Sequence, residues 1–291
     1  MWFDRLWFSS KKSKFVLSDP AFKQLLDRLQ PRFPVAETAT ANLPPISIVI
    51  PAHPKDFALL QSVIDGVLLN SLNPIREILI ITPSLKRPVV EVDHPLIFLQ
   101  DDEVLSAGLK SYLGNQESQP SLGWIKQQVV KIEAVLSQVS TDYALVLDAD
   151  TVILAPRVLV SMNIQELNFA NEYHQPYFSH VSRFDAGIRA TGLSFVTHYQ
   201  LWDRRIVREI WAEHKLIDWL DARDRTQVSC ISEYQTYGQF LLHYYPSRFM
   251  LTRWGNVNYS RKSQDTIGEA SYLALKAKFP GSLSVSVHSY S

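Results

Sequence analysis

The sequence is poor in cysteine: Cys230 is the single one among 291 residues. One thiol cannot form a disulfide within the chain, which excludes the small disulfide-stapled scaffolds of the extracellular space. This cysteine usage is typical of a reducing compartment. We therefore expect a cytoplasmic protein.

An excess of positive charge and a long apolar run are also missing. Lys and Arg number 29 and Asp and Glu number 29, so no global basic field points to nucleic acid as a partner. No apolar stretch approaches the length of about 20 residues that a transmembrane helix needs. Asp4 and Arg5 interrupt the first residues, where a secretory signal would need an apolar core.

The first residues carry many aromatic side chains followed by lysines. The aromatic and apolar members are Trp2, Phe3, Leu6, Trp7 and Phe8, and the basic ones are Lys11, Lys12 and Lys14. If the segment is helical, Phe3, Leu6 and Trp7 share one face, as in a peripheral anchor at the inner face of an anionic membrane. The alternative is that these aromatic residues pack on the domain core. Prolines up to Pro45 mark residues 1–45 as an N-terminal segment and linker.

The rest of the chain alternates short apolar runs with helical periodicity. Hydrophobic residues make up 46% and charged residues 20%, as in a folded globular domain. The patterns predict strands at 46–50, 75–81, 96–99, 143–147 and 283–288, and helices at 56–69, 122–136, 199–214 and 234–245. Strand–helix–strand alternation predicts an α/β domain with a mixed, mostly parallel sheet flanked by helices on both faces.

Asp148-Ala149-Asp150 follows the apolar run Tyr143–Leu147. Residues two apart on an extended strand point to the same side, so both carboxylates can face one ligand. Ligands of open α/β sheets bind at the carboxyl ends of strands, and paired carboxylates suit Mg²⁺ or Mn²⁺ holding a phosphate. The alternative is a solvated turn, because Asp-Ala-Asp-Thr is also ordinary turn chemistry.

Two classes of enzyme place such a pair after a strand. Residues 148–152 match the first motif of haloacid-dehalogenase phosphohydrolases, in which the first Asp is a nucleophile. That motif normally opens its domain, whereas here it follows about half of the chain. Residues 46–288 resemble the GT-A glycosyltransferases, most closely a bacterial family of predicted nucleotide-diphospho-sugar transferases. The stretches that carry the resemblance are ISIVIP at 46–51, QQVVK at 127–131, LVLDADT at 145–151 and SEYQTYG at 232–238.

The resemblance implies a metal-dependent transferase with a GT-A, Rossmann-like fold over residues 46–291. Residues 46–150 would form the nucleotide-binding half and 151–291 the acceptor half. Asp148 and Asp150 would hold Mn²⁺ or Mg²⁺ on the donor diphosphate, with Asp150 coordinating directly and Asp148 acting through water or on the donor ribose or sugar. His288 would be a third metal ligand, with His198 and His243 competing for that role.

Glu233 would be the general base that takes the proton of the acceptor hydroxyl in an inverting reaction. It follows a possible capping residue, Ser232, so the alternative is an ordinary acid in the first turn of a helix.

The donor would be a nucleotide-diphospho-sugar, with UDP as a candidate nucleotide, and the acceptor a glycan or other hydroxylated compound. Donor-site candidates are Pro51, Ala52, His53, Asp56, Thr82, Lys131 and Asp148. Asp101 would lie on the rim, and Lys126 or Lys131 would neutralise a phosphate. Acceptor-site candidates are His198, Trp202, Trp254 and Asn256. Two alternatives stay open: a sugar-nucleotide nucleotidylyltransferase and a non-catalytic nucleotide-sugar-binding protein.

Overall fold

A computed structural model of the protein describes residues 42–83, 86–116, 122–170, 173–212, 214–227, 229–260 and 271–288. The predicted aromatic and basic segment at the N-terminus lies outside these residues. In the ranges that are described, no helix combines the length and the apolar character needed to cross a membrane.

Strands and helices alternate through the first half of the described chain and mix less regularly afterwards. The strands are β1 (Ile46–Pro51), β2 (Ile75–Thr82), β3 (Leu96–Gln100), β4 (Tyr143–Leu147), β5 (Thr151–Ile153), β6 (Val160–Ser161), β7 (Ile164–Phe169), β8 (Tyr199–Asp203), β9 (Phe249–Arg253), β10 (Asn256–Ser260) and β11 (Ser284–His288). A 3-10 helix covers Pro54–Leu59. The α-helices are α1 (Leu60–Asn70), α2 (Asp101–Val104), α3 (Ala107–Gly114), α4 (Leu122–Ser137), α5 (Gln175–Phe184), α6 (Arg204–Trp211), α7 (Lys215–Asp221), α8 (Glu233–Tyr244) and α9 (Tyr272–Lys278).

The main sheet has five strands in the order β3-β2-β1-β4-β8. The first four are parallel to one another, and β8 runs antiparallel to β4. The prediction of a mixed, mostly parallel sheet in an α/β domain is therefore confirmed. The chain builds outward from β1 through β2 to β3 and then returns to the other side of β1 with β4. The carboxyl ends of β1 and β4 thus flank a topological switch point, where open α/β sheets form a crevice.

The helix predicted over 199–214 is wrong in its first part. Tyr199–Asp203 is a strand whose residues are all buried, and the helix begins only at Arg204. A short apolar run suits either a strand or a helix, and pairing with the edge of β4 decides the outcome here. Asp203 ends the strand and caps the new helix, since its side chain accepts a hydrogen bond from the backbone N–H of Arg205 at 2.9 Å.

Side chains that alternate along the strands build a separate apolar cluster on each face of the sheet. One cluster joins the strands to α1 and α9 and includes Ile46, Ile48, Ile50, Val63, Val67 and Leu275. The other joins them to α4, α6 and α8 and includes Val49, Leu79, Val129, Ile132, Ile206, Tyr237 and Leu241. Helices cover both faces because successive strand residues point to opposite sides of the sheet.

Two three-stranded sheets extend the fold, in the orders β10-β11-β5 and β6-β7-β9. In the first of them, β11 runs antiparallel to β5, which directly follows the acid pair. The backbone N–H of Val287 donates to the carbonyl of Asp150 at 2.7 Å. The last described strand is therefore attached beside the carboxyl end of β4. The two predicted halves of the domain share the main sheet, to which the second half contributes β8.

Gly238 provides a test of the packing between α8 and the segment before β8. A Cβ at Gly238 would lie 2.2 Å from Cγ of Phe195, whose side chain is fully buried. We expect Gly238→Ala to lower the free energy of unfolding by about 1–3 kcal/mol, because the core cannot accept the added methyl group. Gly108→Ala in α3 is the control, since a Cβ there meets no atom within 4 Å. Chemical denaturation should show an unchanged or higher stability for the control, and equal losses in both variants would contradict this packing.

His180 predicts a pH dependence of stability. Its imidazole is fully buried and bonded through Nε2 to the carbonyl of Trp219 at 2.7 Å. Burial lowers the pKa of His180 from 6.5 to about 4, with further lowering by the charges of Arg183 and Arg223. As the pH falls below 6.5, His180 becomes protonated in the unfolded chain but stays neutral in the folded protein. The free energy of unfolding therefore declines between pH 6.5 and about 4.

Over that interval we expect a loss on the order of 3 kcal/mol from this group. His180→Gln retains an N–H donor for the Trp219 carbonyl but cannot titrate. Urea unfolding at several pH values should therefore give a flatter dependence for the variant than for the wild type. Identical slopes would show that His180 does not contribute.

Candidate functional site

A cavity of about 660 Å³ opens at the carboxyl ends of the parallel strands. Pro51 and Ala52 at the end of β1, Ile81 at the end of β2, and Asp148 just after β4 all line it. The cavity therefore lies at the topological switch point between β1 and β4, where the fold leaves room for a ligand. Its volume is in the range of roughly 300–1,000 Å³ that is common for small-molecule sites.

Many of the predicted site residues lie together on this cavity. The predicted residues that line it are Pro51, Ala52, His53, Asp56, Asp101, Lys126, Asp148, Asp150, His198 and His288. Lys126 Nζ lies 3.1 Å from Asp101 Oδ2, so the cation and the predicted rim acid form an ion pair. The strand ends, the helix before β4 and the last described strand thus contribute to one site.

Asp148 is held by three side chains. Lys131 Nζ lies 2.6 Å from Oδ1, the Tyr234 hydroxyl donates to Oδ1 at 3.1 Å, and His198 Nδ1 lies 3.1 Å from Oδ2. Burial opposes ionisation, but the Lys131 ammonium and the His198 hydrogen bond outweigh it and hold the pKa of Asp148 well below its usual range. The carboxylate is therefore ionised and fixed in one orientation.

Lys131 is the buried cation of the site. Its side chain is 3% exposed, and Nζ lies 2.7 Å from Glu233 Oε1 as well as beside Asp148. Nζ also lies 4.3 Å from the centre of the Tyr234 ring. Burial alone would lower the pKa of Lys131, but the two adjacent carboxylates raise it above its ordinary value. Lys131 does not line the cavity, so it supports Asp148 from behind.

Glu233 is placed differently from the prediction. It begins α8, with Ser232 accepting from the backbone N–H of Gln235 at 3.2 Å, so the predicted cap is present. Its carboxylate is 1% exposed, is bonded to Lys131 and does not line the cavity. Burial raises the pKa of Glu233, and the neighbouring Lys131 opposes that shift. A general base must reach the proton that it removes, so the geometry supports a role in holding Lys131 rather than the predicted base.

Asp150 and His288 form a second carboxylate–imidazole pair on the cavity. His288 Nδ1 lies 3.1 Å from Asp150 Oδ2, and His288 Nε2 lies 3.4 Å from Asn258 Oδ1. The side chains of Asp150 and His288 are 23% and 11% exposed, so both are accessible from the cavity. Carboxylate oxygen and neutral imidazole nitrogen are donors that suit Mn²⁺, and carboxylate suits Mg²⁺.

No three acidic, histidine or cysteine side chains in the described ranges are arranged to hold a metal ion as they stand. The donor types at Asp150 and His288 nevertheless fit a cation that takes few protein ligands. Mg²⁺ in particular is commonly held by one or two carboxylates, with phosphate oxygens and water completing its shell.

His198 lies beside both Asp148 and the Asp150–His288 pair. Its backbone has φ of +54°, in the left-handed region that residues other than glycine seldom adopt. Its ring centre lies 5.1 Å from that of His288 and 5.2 Å from that of Trp254. Strained backbone of this kind costs about 1–3 kcal/mol and persists only where the surroundings impose it, often at functional sites. The structure therefore places His198 beside the acid pair rather than in a separate acceptor wall.

Besides Lys131 and Glu233, four more predicted residues do not line the cavity: Thr82, Trp202, Trp254 and Asn256. Thr82 is 3% exposed, and Trp202 is fully buried and stacks on Tyr237 with ring centres 5.5 Å apart. Trp202 is therefore a core residue, and the structure contradicts its predicted contact with an acceptor. Trp254 lies behind His198, and Asn256 accepts hydrogen bonds from Ser284 at 2.7 Å and Ser286 at 3.3 Å within its small sheet.

His243, the third histidine considered as a ligand, lies in the last turn of α8. That turn is about 15 Å along the helix from Glu233.

The cavity is also lined by residues that no sequence pattern had marked as site candidates, among them Lys55, Pro83, Gly123, Trp124, Gln127 and Val130. The last four lie on α4 at successive spacings of one, three and three residues, which places them on one side of the helix. The apolar periodicity of α4 identified the opposite, core-facing side. The side of α4 opposite its apolar face was therefore a candidate cavity wall that the sequence could have indicated, because α4 precedes the strand that leads to the acid pair.

Comparison of the sequence with protein-family models and with curated proteins found no match.

The Lys131–Glu233 pair can be tested by a double-mutant cycle. Lys131→Met leaves the buried Glu233 and the cavity-facing Asp148 without their cation, and we expect a loss of about 3–5 kcal/mol in the free energy of unfolding. Adding Glu233→Gln removes one of those uncompensated charges, so the double variant should lose less than the sum of the single losses. Lys126→Met is the matched control on the same helix. Its ion pair with Asp101 is 33% exposed on the lysine side, so the loss should be at most about 1 kcal/mol. Additive losses in the cycle would contradict the coupling.

Proposed function

We propose that the protein is a glycosyltransferase of the GT-A type that uses a nucleotide-diphospho-sugar as donor. One observation carries the proposal: Asp148-Ala149-Asp150 directly follows the parallel strand β4 beside the switch point and lines a cavity of about 660 Å³. A paired acid at this position suits a cation on a diphosphate, and the cavity has room for a nucleotide sugar. The sequence resemblance to GT-A enzymes supports the same function.

In this proposal Asp150 and His288 are the residues that hold a divalent cation. A bound Mn²⁺ or Mg²⁺ would supply Lewis-acid neutralisation of the charge on the leaving diphosphate. Asp148 remains ionised through its contact with Lys131. In this proposal its carboxylate orients the donor, while Asp150 holds the cation. The strained His198 fixes Asp148 through its Nδ1 contact.

The nucleoside part of the donor is expected at the ends of β1 and β2. Pro51, Ala52 and Ile81 supply apolar surface there, while His53 and Asp56 supply polar groups. Pockets of this composition bind a planar ring by its faces and select it by hydrogen bonds at its edges. Lys126 lies on the same cavity and contributes positive charge for a phosphate.

Transfer requires an acceptor hydroxyl, which attacks the anomeric carbon while the nucleotide diphosphate leaves. The buried Glu233 acts in this scheme by holding Lys131, and hence Asp148, in place. The inverting outcome stays a prediction of the resemblance. Comparison of the anomeric configuration of donor and product by NMR tests it.

The nucleotidylyltransferase alternative is less well supported. Enzymes of that class usually carry a glycine-rich, basic loop after the first strand. Here Pro51-Ala52-His53 follows β1 and leads directly into the 3-10 helix Pro54–Leu59. The non-catalytic alternative differs from the proposal only in turnover, so an activity measurement separates the two.

A thermal-shift panel of nucleotide sugars, with and without Mn²⁺, tests the donor and the cation together. At a ligand concentration of 100 times Kd, binding adds about 2.7 kcal/mol of stability. For a chain of 291 residues that corresponds to a rise in Tm of roughly 4 °C. We expect the rise with one nucleotide family, and we expect Asp150→Asn to abolish its Mn²⁺-dependent part together with release of nucleotide from the donor.

Asp218→Asn is the control, because Asp218 is 62% exposed and does not line the cavity. It should respond to the nucleotide sugar as the wild type does. The proposal fails if no nucleotide sugar raises the Tm, or if Asp150→Asn retains both the Mn²⁺-dependent shift and the turnover.

A further inference from the structure

The cavity wall that α4 forms has two sides, and each side lies toward a different strand. On one side, Lys126 Nζ lies 3.1 Å from Asp101 Oδ2, and Asp101 directly follows β3. Val130 lies four residues after Lys126, so it shares this side of the helix and also lines the cavity. This side of α4 therefore lies toward the part of the cavity that is expected to hold the nucleoside.

The other side of α4 lies toward the acid pair. Trp124, Gln127 and Lys131 follow one another at spacings of three and four residues, so they share one side of the helix. Lys131 Nζ lies 2.6 Å from Asp148 Oδ1, whereas Trp124 and Gln127 line the cavity. On this side the helix thus supplies an ammonium to Asp148, and an amide and an indole ring to the cavity.

The order of these residues along α4 places the amide and the indole ring beyond Asp148. The helix leads through a short connection into β4, so its axis runs back against the direction of the strand. Gln127 precedes Lys131 by about 6 Å along the axis and Trp124 by about 10 Å. Both groups therefore border the space past the carboxyl end of β4, which a ligand in contact with Asp148 would enter.

The indole ring of Trp124 is supported from behind. Its plane lies at 11° to the ring of Tyr177, with centres 6.1 Å apart, and the Tyr177 hydroxyl lies 2.6 Å from Ser229 Oγ. Tyr177 is 9% exposed and is therefore a buried support for the indole ring. Trp124 itself is half-buried and lines the cavity. A side chain that is already held in place loses little conformational freedom when a ligand binds.

An indole ring next to an amide suits a sugar better than it suits a phosphate. A sugar ring has a face of C–H groups that packs on an aromatic ring, and its hydroxyl groups exchange hydrogen bonds with an amide, which both donates and accepts. A phosphate is held best by positively charged donors, which neither Trp124 nor Gln127 supplies.

We propose that Trp124 and Gln127 bind the sugar of the nucleotide-diphospho-sugar donor. The face of the sugar packs on the indole ring, and one of its hydroxyl groups bonds to the Gln127 amide. The inference rests on the transferase function proposed above. The donor then lies with its nucleoside at the ends of β1 and β2 and with its sugar between Asp148 and α4. Trp124 and Gln127 contribute affinity for the sugar and not for the nucleotide, so they help to determine which sugar is transferred.

The test compares nucleoside diphosphates with nucleotide sugars by calorimetric titration of the full chain in the presence of Mn²⁺. The probes are UDP, GDP and ADP, each alone and as its glucose, galactose and mannose derivative. Trp124→Ala should weaken binding of the nucleotide sugar by about tenfold and change binding of the matching nucleoside diphosphate by less than about twofold. Trp124→Phe should restore part of the loss. Gln127→Leu, which keeps the size of the side chain but removes the amide, should also weaken only the nucleotide sugar.

Tyr244→Ala is the control, because Tyr244 is 43% exposed and lies at the end of α8, outside the cavity. It should bind both kinds of probe as the wild type does, and the Tm of each variant without ligand shows that it is folded. If Trp124→Ala weakens the nucleoside diphosphate as much as the nucleotide sugar, the indole ring holds the nucleoside and the inference is wrong.

The same titrations separate the sugar site from the function on which it rests. Probes that bind the wild type and the Trp124 and Gln127 variants equally well overturn the sugar site alone and leave the transferase function standing. A wild-type protein that binds none of the probes overturns the transferase function, and the sugar site fails with it.

Discussion

The site depends on one buried ammonium group. Lys131 Nζ lies 2.6 Å from Asp148 and 2.7 Å from Glu233, and its side chain is almost inaccessible to water. Without this cation two carboxylates would face each other in the interior, where an uncompensated charge costs several kcal/mol. With it, Asp148 remains ionised and immobile at the cavity surface. The contact also joins α4, the end of β4 and the start of α8, so the element that presents the acid pair is held to the two helices around it.

Sheet topology decides where this charged group can act. In the main sheet, β2 and β3 lie on one side of β1, and β4 lies on the other. The helix α1 after β1 and the helix α4 before β4 pack on opposite faces of the sheet, so they diverge at its carboxyl edge. The crevice between them exposes Asp148 and Asp150, while α4 presents Trp124, Gln127 and Val130 to the same space. Lys131, on the same helix, points into the protein. The helix α4 therefore supplies residues that line the cavity and also the lysine that holds Asp148.

The acid pair was predictable because an apolar strand followed by Asp-x-Asp is a local pattern, and the structure places both acids on the cavity. His288 joins Asp150 from 138 residues away, and His198 joins Asp148 from 50 residues away. Those positions depend on the antiparallel pairing of β11 with β5 and of β8 with β4. Glu233 shows the limit of the local pattern: its place in the first turn of α8, directly after the cap Ser232, was predictable, but the direction of its carboxylate was not. Trp202 shows the same limit, since an aromatic side chain in a strand can face a ligand or the core.

The sequence by itself determined the four parallel strands of the main sheet, the helices α1, α4 and α8, the buried face of α4 and the acid pair at the end of β4. These features follow from hydrophobic periodicity and from turn chemistry, which act over a few residues. Only the tertiary structure decided that 199–203 is a strand, that Glu233 lies behind Lys131, and that Trp124 stacks on Tyr177. Each of these depends on residues distant in the chain, and their separation is set by strand order and helix packing. Periodicity encodes how deeply a residue is buried, whereas the identity of its neighbour is decided by the fold.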